Sequence, residues 1–179
     1  MKTYSLLVFF LGLIFFGYAQ EKPSTIFTKN HEVKVGALKL LAVPIFEGTY
    51  EYIPNRNTGF GASFLWNFDT SNNYLENISI TPFFRMYFQK DEQYGAKGFF
   101  VEAFSSFYSG NEKLDSLTGS NKDNIKTFFE TALGFSLGQK WINSTGFIFE
   151  LRLGFGRNLL GNSRSDGIIK GGFYVGYRF

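Results

Sequence analysis

The sequence predicts an all-β chain closed as an eight-stranded antiparallel up-and-down transmembrane β-barrel. Three observations carry that expectation. Apolar residues recur at every second position from Ile45 onward, the period of a strand with one apolar and one polar face. Charged residues inside those alternating runs, from Glu47 to Arg178, all share the Gly, Ser and Thr face. The 179 residues include 24 Phe, 10 Tyr and 2 Trp beside 20 Gly and only 4 Pro, a composition rich in large apolar rings and far from that of a disordered or collagen-like chain.

The amino end reads as a secretory signal peptide over residues 1–19. Lys2 precedes an apolar run, Ser5 to Phe16, too short for the roughly 20 residues of a spanning helix. Gly17 and Ala19 are small residues at the spacing a signal peptidase uses, with cleavage expected before Gln20. Residues 20–30 then form a periplasmic amino-terminal segment, and 31–179 the barrel. No Cys follows the apolar run, so a lipid anchor on the mature end is not expected.

The strands follow in order. Residues 31 to 40 place Val33, Val35 and Ala37 on one face, and 45 to 53 place Phe46, Tyr50 and Tyr52. Residues 59 to 68 set Phe60, Ala62, Phe64, Trp66 and Phe68 against Gly59, Gly61, Ser63, Leu65 and Asn67. Residues 78 to 88 set Ile78, Ile80, Pro82, Phe84, Met86 and Phe88 against Ser79, Thr81, Phe83, Arg85 and Tyr87, and 99 to 108 continue the alternation. A strand at about 127 to 137 carries Phe129, Leu133, Phe135 and Leu137 outward, and 147 to 156 carries Phe147, Phe149, Leu151, Leu153 and Phe155. The last runs to Phe179, with Ile168, Lys170, Gly172, Tyr174, Gly176 and Arg178 on its charged face.

Charge decides which face meets which solvent. The interior of an eight-stranded barrel is just filled by side chains, so the Phe face is too bulky to be the interior and is expected to face lipid. Strands of about 10 residues suit a tilted crossing, and closure satisfies every backbone group. The links support the same orientation. Those at 69–77, 110–126 and 157–167 are long and polar, as outside loops are, while 54–58, 89–98 and 138–146 fall on the periplasmic side. Two features fit less well: the outside link at 41–44 is very short, and 89–98 is long for its side.

The chain ends Phe173-Tyr174-Val175-Gly176-Tyr177-Arg178-Phe179. This resembles the carboxy-terminal signal of outer-membrane barrels, in which Phe173, Val175, Tyr177 and Phe179 would be read by the barrel assembly machinery. Together with His31-Glu32-Val33-Lys34-Val35, Tyr50-Glu51-Tyr52, Thr81-Pro82-Phe83-Phe84-Arg85-Met86-Tyr87-Phe88, Gly98-Phe99-Phe100-Val101-Glu102 and Gly138-Gln139-Lys140-Trp141, the chain over 31–179 resembles the small outer-membrane barrels of unknown function of Bacteroidota type, with an OmpA/OmpX-like architecture. The resemblance implies an eight-stranded barrel and brings no assigned activity.

The inward face offers one constellation, a lumen charge network of Glu47, Glu51, Arg85, Glu102, Glu130, Glu150, Arg152, Lys170 and Arg178, with Glu32 and Lys34 on the first strand. Near balance of sign predicts mutual pairing, because lone charges in a narrow lumen are expensive. Paired carboxylates such as Glu102 and Glu130 raise acid–base chemistry. His31 is the only histidine, and no Ser or acid beside it makes a set for lipid acyl transfer. Zero Cys and one His rule out a Cys-built zinc site, a thiol nucleophile and an iron–sulfur cluster. Asp115 and Asp123 lack EF-hand spacing, and Gly59-Phe60-Gly61 and Gly154-Phe155-Gly156 recur with strand period rather than opening a helix. No cofactor or metal is expected.

A net charge of +3 with no basic run gives no footprint for nucleic acid. The expected partners are outer-membrane lipid, the assembly machinery, and an extracellular ligand met through loops 69–77, 110–126 and 157–167. The charged 110–126 link, with Glu112, Lys113, Asp115, Lys122, Asp123 and Lys126, is the foremost candidate surface. Trp66, Phe68, Tyr74, Tyr50, Tyr52, Trp141 and Tyr177, near strand ends, are expected to anchor the two membrane interfaces. The expected role is a non-enzymatic outer-membrane protein, structural or loop-binding. A narrow channel and a lipid-modifying enzyme are the alternatives.

Overall fold

The computed structural model describes residues 29–69, 74–88, 95–114 and 124–179. The expected signal peptide, most of the 20–30 segment, and Asp115, Lys122 and Asp123 lie outside them. The elements are β1 (His31–Gly36), α1 (Ala37–Ala42), β2 (Ile45–Tyr52), β3 (Thr58–Asn67), β4 (Ile78–Phe88), β5 (Gly98–Leu114), β6 (Asn124–Ile142), β7 (Phe147–Asn158) and β8 (Gly167–Arg178). The strands close as β1-β2-β3-β4-β5-β6-β7-β8, every neighbouring pair antiparallel.

Closure brings the chain's two ends of sheet together. β1 pairs with β8 through Glu32↔Arg178 to Gly36↔Tyr174, and His31 and Phe179 exchange backbone hydrogen bonds at 3.2 and 2.8 Å. This rim, where β1 begins and β8 ends, is called the terminal end below. The opposite, far end carries α1 and the links after β3, β5 and β7.

Alternation along each strand produces two surfaces with inverted chemistry. Glu32, Glu51 and Arg85 are 0% exposed, whereas outward Phe135, Phe155 and Ile169 are 70%, 62% and 66% exposed. Inward glycines make room for inward rings. A Cβ on Gly134 would stand 2.5 Å from the Phe104 ring and against the Phe155 carbonyl, so an alanine there requires the ring to move. In the far half Phe83, Phe104, Tyr108, Phe128, Ala132 and Ile168 pack together.

Three expectations are corrected. The first strand does not reach residue 40: it ends at Gly36, and Ala37–Ala42 is helical. The run Ala-Leu-Lys-Leu-Leu-Ala contains only good helix formers and no β-branched residue, so Ala37 leaves the sheet face. The 110–126 link gives up both its ends to strand, because β5 continues to Leu114 and β6 starts at Asn124. The 138–146 turn shrinks to residues 143–146, since β6 extends to Ile142. The side chain of Asn143 there accepts the backbone N–H of Thr145 at 3.0 Å and of Phe147 at 2.8 Å, and Gly146 takes φ +98°.

The long 89–98 link has a structural use at its end. Ala96 is fully buried against Ile53, Tyr87 and Phe100, and its N–H donates to the Arg56 carbonyl at 2.6 Å. Residues 95 and 96 adopt φ +51° and +44°, folding this segment across the terminal mouth.

Candidate functional site

The lumen is occupied by an ion-pair stack, which the inward parity of seven strands and one helix residue assembles. In the terminal tier, Glu32 accepts from Arg178 Nε at 2.8 Å and Nη2 at 2.6 Å and from Lys140 Nζ at 2.7 Å. Arg178 also donates to the carbonyls of Gly95 and Ala96, at 3.0 and 3.2 Å, tying the stack to the segment before β5. Lys140 donates to Tyr87, whose hydroxyl donates in turn to Glu51.

The middle tier centres on Arg85. Its Nε donates to Glu102 at 2.5 Å, Nη1 to Glu51 at 2.9 Å and to Glu150 at 2.8 Å, and Nη2 to Glu150 at 2.9 Å. The guanidinium carbon stands 4.5 Å from the Phe83 ring centre and 4.4 Å from that of Phe100, an arrangement that suits a planar, weakly hydrated cation. Lys34 reaches Glu51 and Glu150, both at 2.6 Å.

Toward the far end, Arg152 donates to Glu102 at 3.2 Å, Glu47 at 3.0 Å and the Tyr174 hydroxyl at 2.8 Å. Tyr174 donates to Glu47 at 3.0 Å, and Lys39 of α1 completes the Glu47 carboxylate at 2.5 Å. Lys170 pairs with Glu76 at 2.5 Å and reaches Ser79 at 3.2 Å. In the link after β3, burial together with the Glu76 carboxylate pushes the Tyr74 hydroxyl up to about 12.

Of the nine residues anticipated on the inward face, eight meet in this stack. Glu130 does not. Among the described residues it meets backbone N–H groups: those of Thr131, Leu160, Asn162 and Ser163, at 3.0, 2.7, 2.8 and 3.3 Å. It therefore fastens the β7–β8 link to the rim. Glu102 lies opposite Ser136 and Glu130 opposite Tyr108, six positions apart on β6 and so about 20 Å apart along the strand, so these two carboxylates form no dyad.

Sequence reasoning missed Lys140, Lys39 and Glu76 as members. Lys140 had a signal, since Ser136, Gly138 and Lys140 continue the inward parity of β6. Lys39 and Glu76 had none: Lys39 shares the parity of Val33, Val35 and Ala37, on the face expected to point outward, and Glu76 belongs to a link. Glu112 is engaged rather than free: it accepts from Ser163 Oγ at 3.0 Å and the Arg164 N–H at 2.8 Å, which joins the β5–β6 ribbon to the β7–β8 link.

On the outer surface, Val175 and Tyr177 lie opposite Val35 and Val33, and Phe173 stacks on Phe149 at 6.1 Å. His31 packs against Tyr50, Tyr52 and Phe179, with Nδ1 2.7 Å from the Tyr50 hydroxyl, so its described neighbours are phenols and rings and not a nucleophile–acid pair. Trp66 and Phe68 pack together at the far rim. Tyr74 instead turns its ring to Lys39, 5.7 Å away.

No family model matches this sequence, and no curated protein matches it. The crystal structure of the N-terminal β-barrel domain of Pseudomonas aeruginosa OprF is similar, with a TM-score of 0.60 over 84% of this chain and 98% of that one, at 14% identity. At that identity the likeness is one of fold, a closed, eight-stranded antiparallel barrel.

Proposed function

We propose that the chain is a non-enzymatic outer-membrane barrel, with its terminal end in the periplasm and its far links outside, serving as a structural element or through its loops. The observation that carries this reading is the inverted burial. A wall whose outward Phe135, Phe155 and Ile169 are 62–70% exposed while Arg85 and Glu51 are wholly buried is unsuited to water on its outside and well suited to hydrocarbon. The OprF barrel domain supports the architecture. Under this reading Phe173, Val175, Tyr177 and Phe179 serve barrel assembly, and residues 1–19 direct export.

The ion-pair stack favours a structural role over a channel. Arg85, Lys34, Lys140 and Arg152 each bridge two or more carboxylates drawn from different strands, so the lumen is cross-braced from β1 to β8. Binding at the outside belongs to the links at 69–77, 110–126 and 157–167, of which the last two are joined through Glu112 and Glu130.

The test is expression of the full chain with its own amino end in a bacterium that has an outer membrane. Recovery in that membrane, with a gel mobility that shifts on boiling, is expected. Soluble recovery without a shift overturns the reading.

A further inference from the structure

Beyond Gly36 the wall of the barrel changes its construction. β1 pairs with β8 only as far as Gly36↔Tyr174 and with β2 only as far as Val35↔Gly48. Yet β8 continues to Gly167, paired with β7, and β2 begins at Ile45, paired with β3. In the far half, therefore, the facing edges of β8 and β2 have no strand between them. α1 stands in that place. Among the described residues no backbone hydrogen bond joins α1 to either edge.

The helix presents two chemistries. Leu38, Leu40 and Leu41 are 56%, 46% and 74% exposed, whereas Lys39 turns inward to the Glu47 carboxylate and the Tyr74 ring. Six residues without a side-chain cap and without a buried member are too few to hold a helix unaided, so this wall segment has little local stability of its own. An open strand edge facing hydrocarbon is costly, and whatever replaces α1 has to cover it.

We propose that α1 is a displaceable stopper in a lateral opening between β8 and β2, and that the site it vacates takes an amphiphile with a primary-amine head and an alkyl tail. The head chemistry follows from what the stopper takes away. Glu47 is buried, and when Lys39 leaves, it keeps the Tyr174 hydroxyl and Arg152, which it shares with Glu102, and loses its ammonium, the one cation it does not share. A neutral or anionic head leaves that buried carboxylate short of a counter-charge, whereas a protonated amine restores it and finds the Tyr74 ring face. The tail replaces the three leucines. The inference rests on the lipid-facing reading above.

The chain has no Cys, so Leu41→Cys gives a unique position for a nitroxide label. The full-length barrel in non-ionic detergent is titrated with dodecylamine, dodecanol or dodecanoate while label mobility is read. Dodecylamine is expected to mobilise the label saturably, and the other two only in proportion to their partitioning. Lys39→Gln, which weakens the stopper, is expected to tighten the amine response about tenfold, and Glu47→Gln to abolish it. A non-saturating amine response matching dodecanol, or equal affinity in wild type and Lys39→Gln, overturns the proposal. If Glu47→Gln does not fold, those two comparisons decide it. The boiling-dependent gel shift is run on every sample: a shift retained without amine binding overturns this inference alone, whereas its loss in the wild type overturns the membrane reading.

Discussion

Arg85 and Glu150 form a two-point fork in the centre of the lumen, with Nη1 on one carboxylate oxygen at 2.8 Å and Nη2 on the other at 2.9 Å. Both side chains are almost wholly buried. Parallel N–H bonds from a guanidinium to a carboxylate are the strong form of this contact, and the geometry fixes the spacing of β4 and β7 across the barrel. Removing the carboxylate leaves Arg85 only Glu51 and Glu102. Glu150→Gln is expected to lower stability by about 3 kcal/mol, because Arg85 and Lys34 both lose a counter-charge at once. Denaturant unfolding of the barrel in lipid vesicles measures it.

The outer surface gives a prediction of opposite sense to that for a soluble protein. Leu137 is outward and 53% exposed, opposite Leu153 of β7 and Val101 of β5. In water, arginine at such a site is nearly neutral. Facing hydrocarbon, Leu137→Arg is expected to destabilise by about 2–4 kcal/mol if it lies near the bilayer midplane, falling off toward either interface. The same vesicle unfolding assay reads the difference.

Gly134 and Phe104 are a fitted pair. Gly134→Val drives side-chain atoms into the Phe104 ring and the Phe155 carbonyl, and overpacking of this kind costs about 1–3 kcal/mol. Phe104→Leu alone also destabilises by lost packing. Combined, the two are expected to recover part of the loss, giving a non-zero coupling in a double-mutant cycle; strict additivity contradicts the fit.

Glu130 holds the β7–β8 link through three of that link's N–H groups, those of Leu160, Asn162 and Ser163. Glu130→Ala loosens the link, leaving it the Glu112 contacts at Ser163 and Arg164, without touching the ion-pair stack. Trypsin cleavage after Arg164 is expected to accelerate severalfold, with the boiling-dependent gel shift unchanged.

What could be read in advance follows from the kind of interaction involved. Parity is local, so the inward placement of Glu47, Glu51, Arg85, Glu102, Glu150, Arg152, Lys170 and Arg178 was legible from alternation alone. Pairing is not local. Glu32 meets Arg178 across 146 positions, and that contact exists only because β1 closes on β8. Lys140 was obscured by a turn placed too early, although its parity was correct. The helix at Ala37–Ala42 was hidden by brevity, since six residues that follow an alternating run carry too little pattern to separate from it. Glu130 shares the parity of the network but sits beyond the last cation, where backbone donors of a neighbouring link replace an ammonium.

The central claim is that the aromatic outer face meets lipid, and the two tryptophans of the chain test it directly. Trp66 stands outward near the far rim and Trp141 outward near the terminal rim, 49% and 46% exposed. The full-length barrel is inserted into vesicles whose acyl chains carry bromine at a shallow position, and Trp emission is compared with that in unbrominated vesicles. Both tryptophans, each measured in the variant lacking the other (Trp141→Phe or Trp66→Phe), are predicted to be strongly quenched by bromine and poorly quenched by aqueous acrylamide. Emission that bromine leaves unchanged and acrylamide quenches freely would place these rings in water and contradict the account.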